Sequence, residues 1–458
     1  MNLKQIKNVY FLGIGGIGMS AIARWFLANS FELAGYDKTP TPLTEALSAE
    51  GASIHFVDDI ALIPSHFLNN KTETLVVYTP AIPKNHVQFN YLKDNGFVMM
   101  KRSEVLGLLT RNMYTIAVAG THGKTSTSSM VAHILKHTGM NVTAFLGGVT
   151  QNYGTNFLIN DKPEDVICVV EADEFDRSFL TLFPDLAIVT STDADHLDIY
   201  QNHSNLLESF GLFVKQIKPN GKLFQHYGLD LQDKTTVQTH EYSIEKGDFK
   251  IENLTIVNAE MVFDIVTPQT RINQCSLQIP GFHNAENAMA AAAVCLELGL
   301  SEEKIKAGIA AFKGVKRRFE YHIRTQQMVY IDDYAHHPTE IEAFLKSIKA
   351  LYPSKKITAV FQPHLYTRTR DFQEGFASSL SIADDVLLLD IYPARELPIE
   401  GVTSDIIFQN ITSAQKILCA KENVLEILRS KQPELLVTIG AGDIDTLVPQ
   451  IATMFLDK

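Results

Sequence analysis

A strand that runs directly into Gly120-Thr121-His122-Gly123-Lys124-Thr125, and then into a Ser/Thr-rich helix start, constrains this 458-residue chain more than any other feature. Such a loop curls backbone amides around a phosphate, sends a lysine to the outer phosphates and offers a hydroxyl to Mg²⁺. It works at the carboxyl end of a buried parallel strand, here Tyr114 to Ala119, and so predicts an α/β fold. Gly120, Thr121, His122, Gly123, Lys124, Thr125 and Ser126 are therefore candidates for a nucleoside triphosphate site. Val118 stands where the general G-x-x-x-x-G-K-[ST] pattern has its first glycine, which disfavours the plain kinase or GTPase version.

The same grammar occurs earlier. Apolar Asn8 to Leu12 leads into Gly13-Ile14-Gly15-Gly16-Ile17-Gly18, and helical spacing follows from Ile17 to Leu27. Asp37 closes a second strand about 20 residues on, completing the fingerprint of a diphosphate-binding loop. A nicotinamide dinucleotide and a UDP-sugar present the same diphosphate to such a loop, so the fingerprint alone leaves a dehydrogenase open. Thr79-Pro80-Ala81, after the strand Leu75 to Tyr78, offers a second wall. The alternation restarts a third time after Lys313-Gly314, with strands at 328–332, 357–361, 385–390 and 434–439. The expected fold is three α/β domains: a Rossmann-like unit at 1–105, a central P-loop ATPase-like unit at 106–313 and a C-terminal Rossmann-like unit at 314–458. Within the central unit the stretch 222–280 reads as antiparallel β.

Two further strands deliver acids beside the phosphate loop. Val166 to Val170 ends on Glu171, Asp173, Glu174 and Asp176; Leu186 to Thr190 ends on Asp193, Asp195, His196 and Asp198. Oxygen-rich strand ends beside a phosphate loop suit Mg²⁺, with Glu171 and His196 the leading ligands. Asn284 opens an Ala-rich helix and reads equally well as its cap. Asp332-Asp333-Tyr334-Ala335-His336-His337-Pro338 and Phe361 to Arg370 end adjacent strands of the third unit and read as a binding edge.

Composition excludes other classes. Hydrophobic residues at 45% and charged residues at 20% describe an ordinary globular chain, and a formal charge of −12 gives no sequence-wide attraction to nucleic acid. No apolar run approaches the ~20 residues of a membrane span, and no export signal opens the chain. Four scattered cysteines in apolar surroundings fit a reducing, cytoplasmic compartment. A nucleotide sensor without turnover remains the non-enzymatic alternative, though it has no need of the third unit's His- and Arg-bearing edge.

In this order, the G-T-H-G-K-T loop, the E-A-D-E and D-H segments, the H-N-x-x-N helix start and the D-D-Y-x-H-H-P segment resemble the Mur ligase family over essentially the whole chain. The resemblance implies an ATP- and Mg²⁺-dependent amide ligase. The lactyl carboxylate of UDP-N-acetylmuramate would be activated as an acyl phosphate and captured by L-alanine; a sister activity would attach a recycled tripeptide instead. It further implies that Gly15, Gly16, Ile17, Gly18, Met19, Ser20, Asp37, Thr79, Pro80 and Ala81 hold the UDP-sugar. Lys124 would steady the β- and γ-phosphates, while Thr125, Glu171 and His196 bind metal. Asn284, Asn287, Arg318 and Asp332 would lie towards the ATP base and ribose. His336, His364 and Arg368 would face the amino acid and the intermediate, with Lys124, His196, His336 and Arg368 as the catalytic set. The family commonly has Arg where this chain has Leu365, which leaves the alanine carboxylate to Arg368 or Arg370. A monomer or homodimer, hinged near Lys313 to Lys316, is expected.

Overall fold

The computed structural model describes residues 3–159, 166–195, 197–394, 396–413 and 415–456, and the side chains of 197 and 198 lie outside this description. Two compact units emerge from the packing: Met1–Lys250 with Thr267–Gln269 and Asn287–Gly308, and Ile251–Val266 with Thr270–Glu286 and Ile309–Lys458.

The first unit holds two sheets. One is five-stranded and parallel: β1 (Asn8–Leu12), β2 (Glu32–Tyr36), β3 (Ser53–His55), β4 (Thr74–Tyr78) and β5 (Val98–Lys101), in the order β3-β2-β1-β4-β5. The other comprises β6 (Tyr114–Ala119), β7 (Val142–Phe145), β8 (Phe157–Leu158), β9 (Ile167–Glu171), β10 (Leu186–Val189), β11 (Lys222–His226) and β12 (Gln238–Tyr242), in the order β12-β11-β10-β6-β9-β7-β8. β8 alone runs antiparallel there.

The second unit holds a three-stranded sheet of β13 (Lys250–Val257), β14 (Glu260–Val266) and β15 (Arg271–Leu277). Its six-stranded sheet contains β16 (Glu320–Arg324), β17 (Val329–Asp333), β18 (Ile357–Phe361), β19 (Asp385–Leu388), β20 (Gln415–Leu418) and β21 (Leu435–Ile439), ordered β16-β17-β21-β18-β19-β20. Only its edge strand β16 is antiparallel.

The antiparallel reading of 222–280 is thus corrected for its first part. β11 and β12 extend the parallel central sheet, because the buried Leu223, Phe224 and Gln225 continue the layer begun by Leu186–Val189; β14 and β15 form the antiparallel pair.

Strands covered on both faces read as unbroken apolar runs. Val9, Phe11, Leu75 and Val77 face a core continuous with Ala117, Val170 and Val189 of the central sheet, while Tyr10, Leu12 and Val76 face the other way into a separate cluster. The six-stranded sheet alternates likewise, with Ile331, Phe361 and Val437 on one face and Tyr330, Val360 and Leu436 on the other. Cys168, Cys275 and Cys295 are buried and outside any disulfide, and burial pushes the Cys168 and Cys295 thiols well above the usual range.

A buried polar side chain helps to join the two sheets of the first unit. Asn156, fully buried, accepts from Arg24 Nη1 at 2.5 Å and donates to Ile17 O at 2.6 Å and Ser20 Oγ at 3.0 Å. Replacing Asn156 with alanine leaves a buried guanidinium N–H unmatched, which costs about 3 kcal/mol. The expected result is a lower urea midpoint than wild type; an unchanged midpoint would contradict the role.

Candidate active site

The glycine-rich loop expected to bind phosphate lies between β6 and a helix. β6 ends at Ala119, Gly120 takes φ +134°, Gly123 takes φ +80° as a left-handed N-cap, and the helix Lys124–His137 begins at once. Only glycine adopts φ near +134° without strain. A Cβ on Gly120 would also lie 2.1 Å from Thr190 Oγ1. The helix start leaves backbone N–H groups and a partial positive charge for a phosphate.

The next strand braces the loop from below. Thr190 Oγ1 donates to Ala119 O at 3.2 Å and also to His122 O. Ser191 Oγ accepts from His122 N at 2.8 Å and contacts Thr121 Oγ1 at 2.9 Å, while Thr121 N donates to Ser191 O at 3.1 Å. His122 Nε2 lies 3.4 Å from Asp193 Oδ2. Thr190 and Ser191 carry no motif of their own, so their bracing role emerges only from strand order β10-β6.

Lys124 Nζ donates to Glu174 Oε1 at 3.0 Å, lies 2.9 Å from Oε2 and reaches Gly120 O at 2.5 Å. Burial pulls its pKa down, but Glu174, Glu171 and Asp173 outweigh that and hold the ammonium well above the usual lysine value. Glu174 is completely inaccessible to solvent. The four acids of this segment therefore separate into different tasks, rather than forming one metal cluster. Glu171 sits across the ladder from Val118, beside the strand that feeds the loop. Its carboxylate packs on Gly147, where a Cβ would lie 2.3 Å from both oxygens. Asp173 pairs with Arg102 at 3.0 Å and Asp176 with Lys101 at 3.2 Å.

Thr125, buried in the first helical turn, and Glu171 present hard oxygen donors at adjacent strand ends, a donor set that fits Mg²⁺. His196, expected as a metal ligand and catalytic group, lies outside the described residues. Asn287 packs on the same helix and accepts from Thr127 Oγ1 at 3.0 Å.

At the first glycine loop, Gly15 N donates to Asp37 Oδ2 at 2.7 Å, so the acid holds the loop as well as closing β2. Gly16 and Ile17 are exposed, and Thr79 packs against Gly13 with Pro80 and Ala81 exposed beyond it. Met19 and Ser20, expected with the substrate residues, are buried on the helix Ile17–Ala28, and Ser20 Oγ donates to Ile17 O.

In the second unit, the carboxyl edge of the six-stranded sheet gathers the remaining polar groups. His336 Nδ1 lies 3.0 Å from Tyr334 O and 3.3 Å from Glu340 Oε2. The His336 and His364 rings are 6.3 Å apart, and His364 stacks on Tyr392 at 5.9 Å. Leu365 adopts φ +71° and its N–H bonds to Tyr392 O, turning the chain into the helix Tyr366–Asp371. Arg368 is buried on that helix, whereas Arg370 is exposed and paired with Asp371 at 2.7 Å. Arg318 lies over the Tyr334 ring at 5.2 Å and 3.9 Å from Glu340.

Asp332 is fully buried with both oxygens engaged, Oδ1 by Thr438 Oγ1 at 2.6 Å and Oδ2 by Arg317 Nε at 3.0 Å. Its neighbour Asp333 accepts from Phe319 N and Ala335 N, and burial pushes its carboxyl up to about 6. Asn284 lies within the first turn of the helix Phe282–Glu297, not at its cap, and donates to Pro280 O. One feature escaped the sequence reading: Gly440-Ala441-Gly442-Asp443 follows the central strand β21. Asp443 there accepts from Gln362 at 2.7 Å and pairs with Lys421. A G-x-G-D directly after an apolar strand was the available signal.

A glycine-rich loop after β1, a second after β6 with acids at the neighbouring strand end, and a His- and Arg-bearing edge on the six-stranded sheet fit a multidomain nucleotide-dependent ligase. The Mur ligase family model for the catalytic domain matches residues 8–114, the middle-domain model 118–295 and the glutamate ligase domain model 317–442. The chain belongs to the Mur ligase family. It is 50% identical to a UDP-N-acetylmuramate–L-alanine ligase of Phocaeicola vulgatus, with all of both chains covered. It is 48% identical to one from Cytophaga hutchinsonii, covering 98% of this chain and 97% of that one. The crystal structure of the UDP-N-acetylmuramate–alanine ligase of Thermotoga maritima superposes with a TM-score of 0.83 at 26% identity, covering 98% and 99% of the chains. A murein peptide ligase from Psychrobacter arcticus shares the fold, with a TM-score of 0.70 at 23% identity over 98% of each chain.

Proposed function

We propose that this chain joins L-alanine to the lactyl carboxylate of UDP-N-acetylmuramate at the expense of ATP, the first peptide step of peptidoglycan precursor synthesis. The observation that carries the reading is full-length 50% identity to a ligase of that name, on a fold that keeps the phosphate loop, Glu171 and the His336/His364 edge. A lactyl carboxylate oxygen attacks the γ-phosphorus of ATP, and ADP leaves with the bridging electron pair. The alanine amine then attacks the acyl carbon, loses its proton and expels inorganic phosphate.

Each part of the chain has its share. Gly15 to Gly18 and Asp37 hold the UDP moiety, with Thr79 behind them. Gly120 to Ser126 cradle the ATP phosphates, and Lys124 offsets charge on the outer ones as it moves to the transferring oxygens. Thr125, Glu171 and His196 are the proposed Mg²⁺ ligands; the ion supplies charge neutralisation at the phosphates. Asn284, Asn287, Arg318 and Asp332 belong to the nucleoside side. His336, His364 and Arg368 receive the amino acid, Arg368 as the carboxylate partner because Arg370 is turned to solvent. The reading includes a domain division at 1–105, 106–313 and 314–458, and a cytoplasmic monomer or homodimer. No helix among the described residues is long and apolar enough to cross a membrane.

The acyl phosphate is tested with UDP-N-acetylmuramate carrying ¹⁸O in its lactyl carboxylate: one ¹⁸O appears in the released phosphate, and phosphate free of label would contradict the route. Asp37→Ala frees the amide of Gly15 and loosens the first loop. It is expected to raise KM for UDP-N-acetylmuramate about tenfold with KM for ATP within twofold of wild type; equal rises in both would contradict the assignment of this loop.

A further inference from the structure

The helix Arg102–Thr110 follows β5 and packs on the 3-10 turns Phe175–Thr181, which come directly after the E-A-D-E segment. Three contacts fasten residues 101–103 to the segment 173–181: Arg102 Nη2 to Asp173 Oδ2 at 3.0 Å, Lys101 to Asp176 at 3.2 Å, and Thr181 Oγ1 to Ser103 O at 2.8 Å. Gly107 allows the close approach, since a Cβ there would lie 2.5 Å from Thr181 O. The fastened segment holds two consecutive non-glycine residues in left-handed backbone, Asp176 at φ +52° and Arg177 at φ +54°. Such conformations persist only where surrounding contacts enforce them.

The other end of Arg102 reaches the first glycine loop. A Cβ on Gly18 would lie 2.8 Å from Arg102 Nη1 and 3.3 Å from its Cζ, so the guanidinium lies directly on this glycine. One side chain, 17% exposed, thus touches the diphosphate loop of the first sheet and the acid one residue before Glu174, the partner of Lys124.

We propose that Arg102 is a positioning residue that sets the nucleotide-sugar loop and the Lys124-bearing ATP site against each other through its ion pair with Asp173. This rests on the ligase reading above for the identity of the two ligands. The physical warrant is a contiguous chain: Gly18, Arg102, Asp173, Glu174, Lys124. A guanidinium held on both sides cannot shift at one loop without moving the other, because its planar fork fixes direction as well as charge.

The test is calorimetric binding of UDP-N-acetylmuramate and, separately, of ADP with Mg²⁺, which needs no turnover. Arg102→Gln is expected to weaken both ligands about tenfold, Asp173→Asn to do the same, and the double variant to be no weaker than either single one. Arg102→Lys keeps the charge without the fork and should recover part of both affinities. Lys101→Gln removes the neighbouring, more exposed pair and should leave both within twofold. If Arg102→Gln affects only the nucleotide sugar, Asp173→Asn only ADP, and the effects add, the linkage is overturned. It is equally overturned if Lys101→Gln reproduces both losses, which would mean general packing. Should the wild type bind both ligands yet form no alanine product, the ligase reading fails while the binding linkage still stands or falls on these affinities.

Discussion

Replacing Lys124 with methionine is expected to lower alanine-dependent phosphate release by about 10³-fold, while UDP-N-acetylmuramate binds with an unchanged Kd. Lys124 is the lysine proposed to steady the outer phosphates, and removing one preorganised donor to a developing charge costs about 10²–10³ in rate. The structure adds a complication. Glu174, with no exposure, pairs with Lys124 at 2.9 Å, and breaking a buried ion pair by removing its cation costs about 3–5 kcal/mol. The single variant should therefore also unfold at lower urea. The double variant Lys124→Met with Glu174→Gln removes both charges and separates the effects: stability returns and activity does not. Wild-type turnover in the double variant would refute the role of the lysine.

A single methyl group at Gly147 is expected to produce nearly as large a loss. The added Cβ would stand 2.3 Å from both oxygens of Glu171, far inside any contact distance, so the carboxylate must leave its place beside Val118. If Glu171 is a Mg²⁺ ligand, Gly147→Ala lowers kcat about 10²-fold and raises the Mg²⁺ concentration for half-maximal activity about tenfold. Glu171→Gln, which keeps shape and removes charge, should shift the Mg²⁺ titration in the same direction. A titration superposable on wild type in both variants would take Glu171 out of the metal site.

How far the sequence foretold this architecture depends on how local each signal is. Phosphate loops are legible because their backbone geometry demands glycine at fixed positions: Gly120 and Gly123 occupy the two left-handed turns, and no distant contact is needed to predict them. The parallel cores were legible because strands buried on both faces are continuous apolar runs, as Val9 to Leu12 and Ile116 to Ala119 are. Short edge strands such as Ser53–His55 were not, since one exposed and two half-buried residues make no run. The parallel direction of β11 and β12 is not legible locally, because polar Lys222, Gln225, Gln238 and His240 interrupt the apolar run that marks a parallel strand, and only pairing to β10 sets their direction.

The acidic segment shows the limit most clearly. Glu171, Asp173, Glu174 and Asp176 look alike in sequence, where only Glu171 is singled out as a metal ligand and the tasks of the other three are not legible. Two consecutive left-handed residues turn the chain, and long-range partners sort the acids: Gly147 for Glu171, Arg102 for Asp173, Lys124 for Glu174 and Lys101 for Asp176. None of those partners is within 20 residues. Asp332 is a similar case, since its pairing with Arg317 and Thr438 depends on β21 lying between β17 and β18.

The central claim is tested most directly by phosphate release from ATP and Mg²⁺ by the purified chain, with UDP-N-acetylmuramate present and L-alanine, the recycled tripeptide or no acceptor added. Release that requires both the nucleotide sugar and alanine, and that the tripeptide does not support, is the predicted result. Release driven by the tripeptide in preference to alanine, or no release with either acceptor, would contradict it.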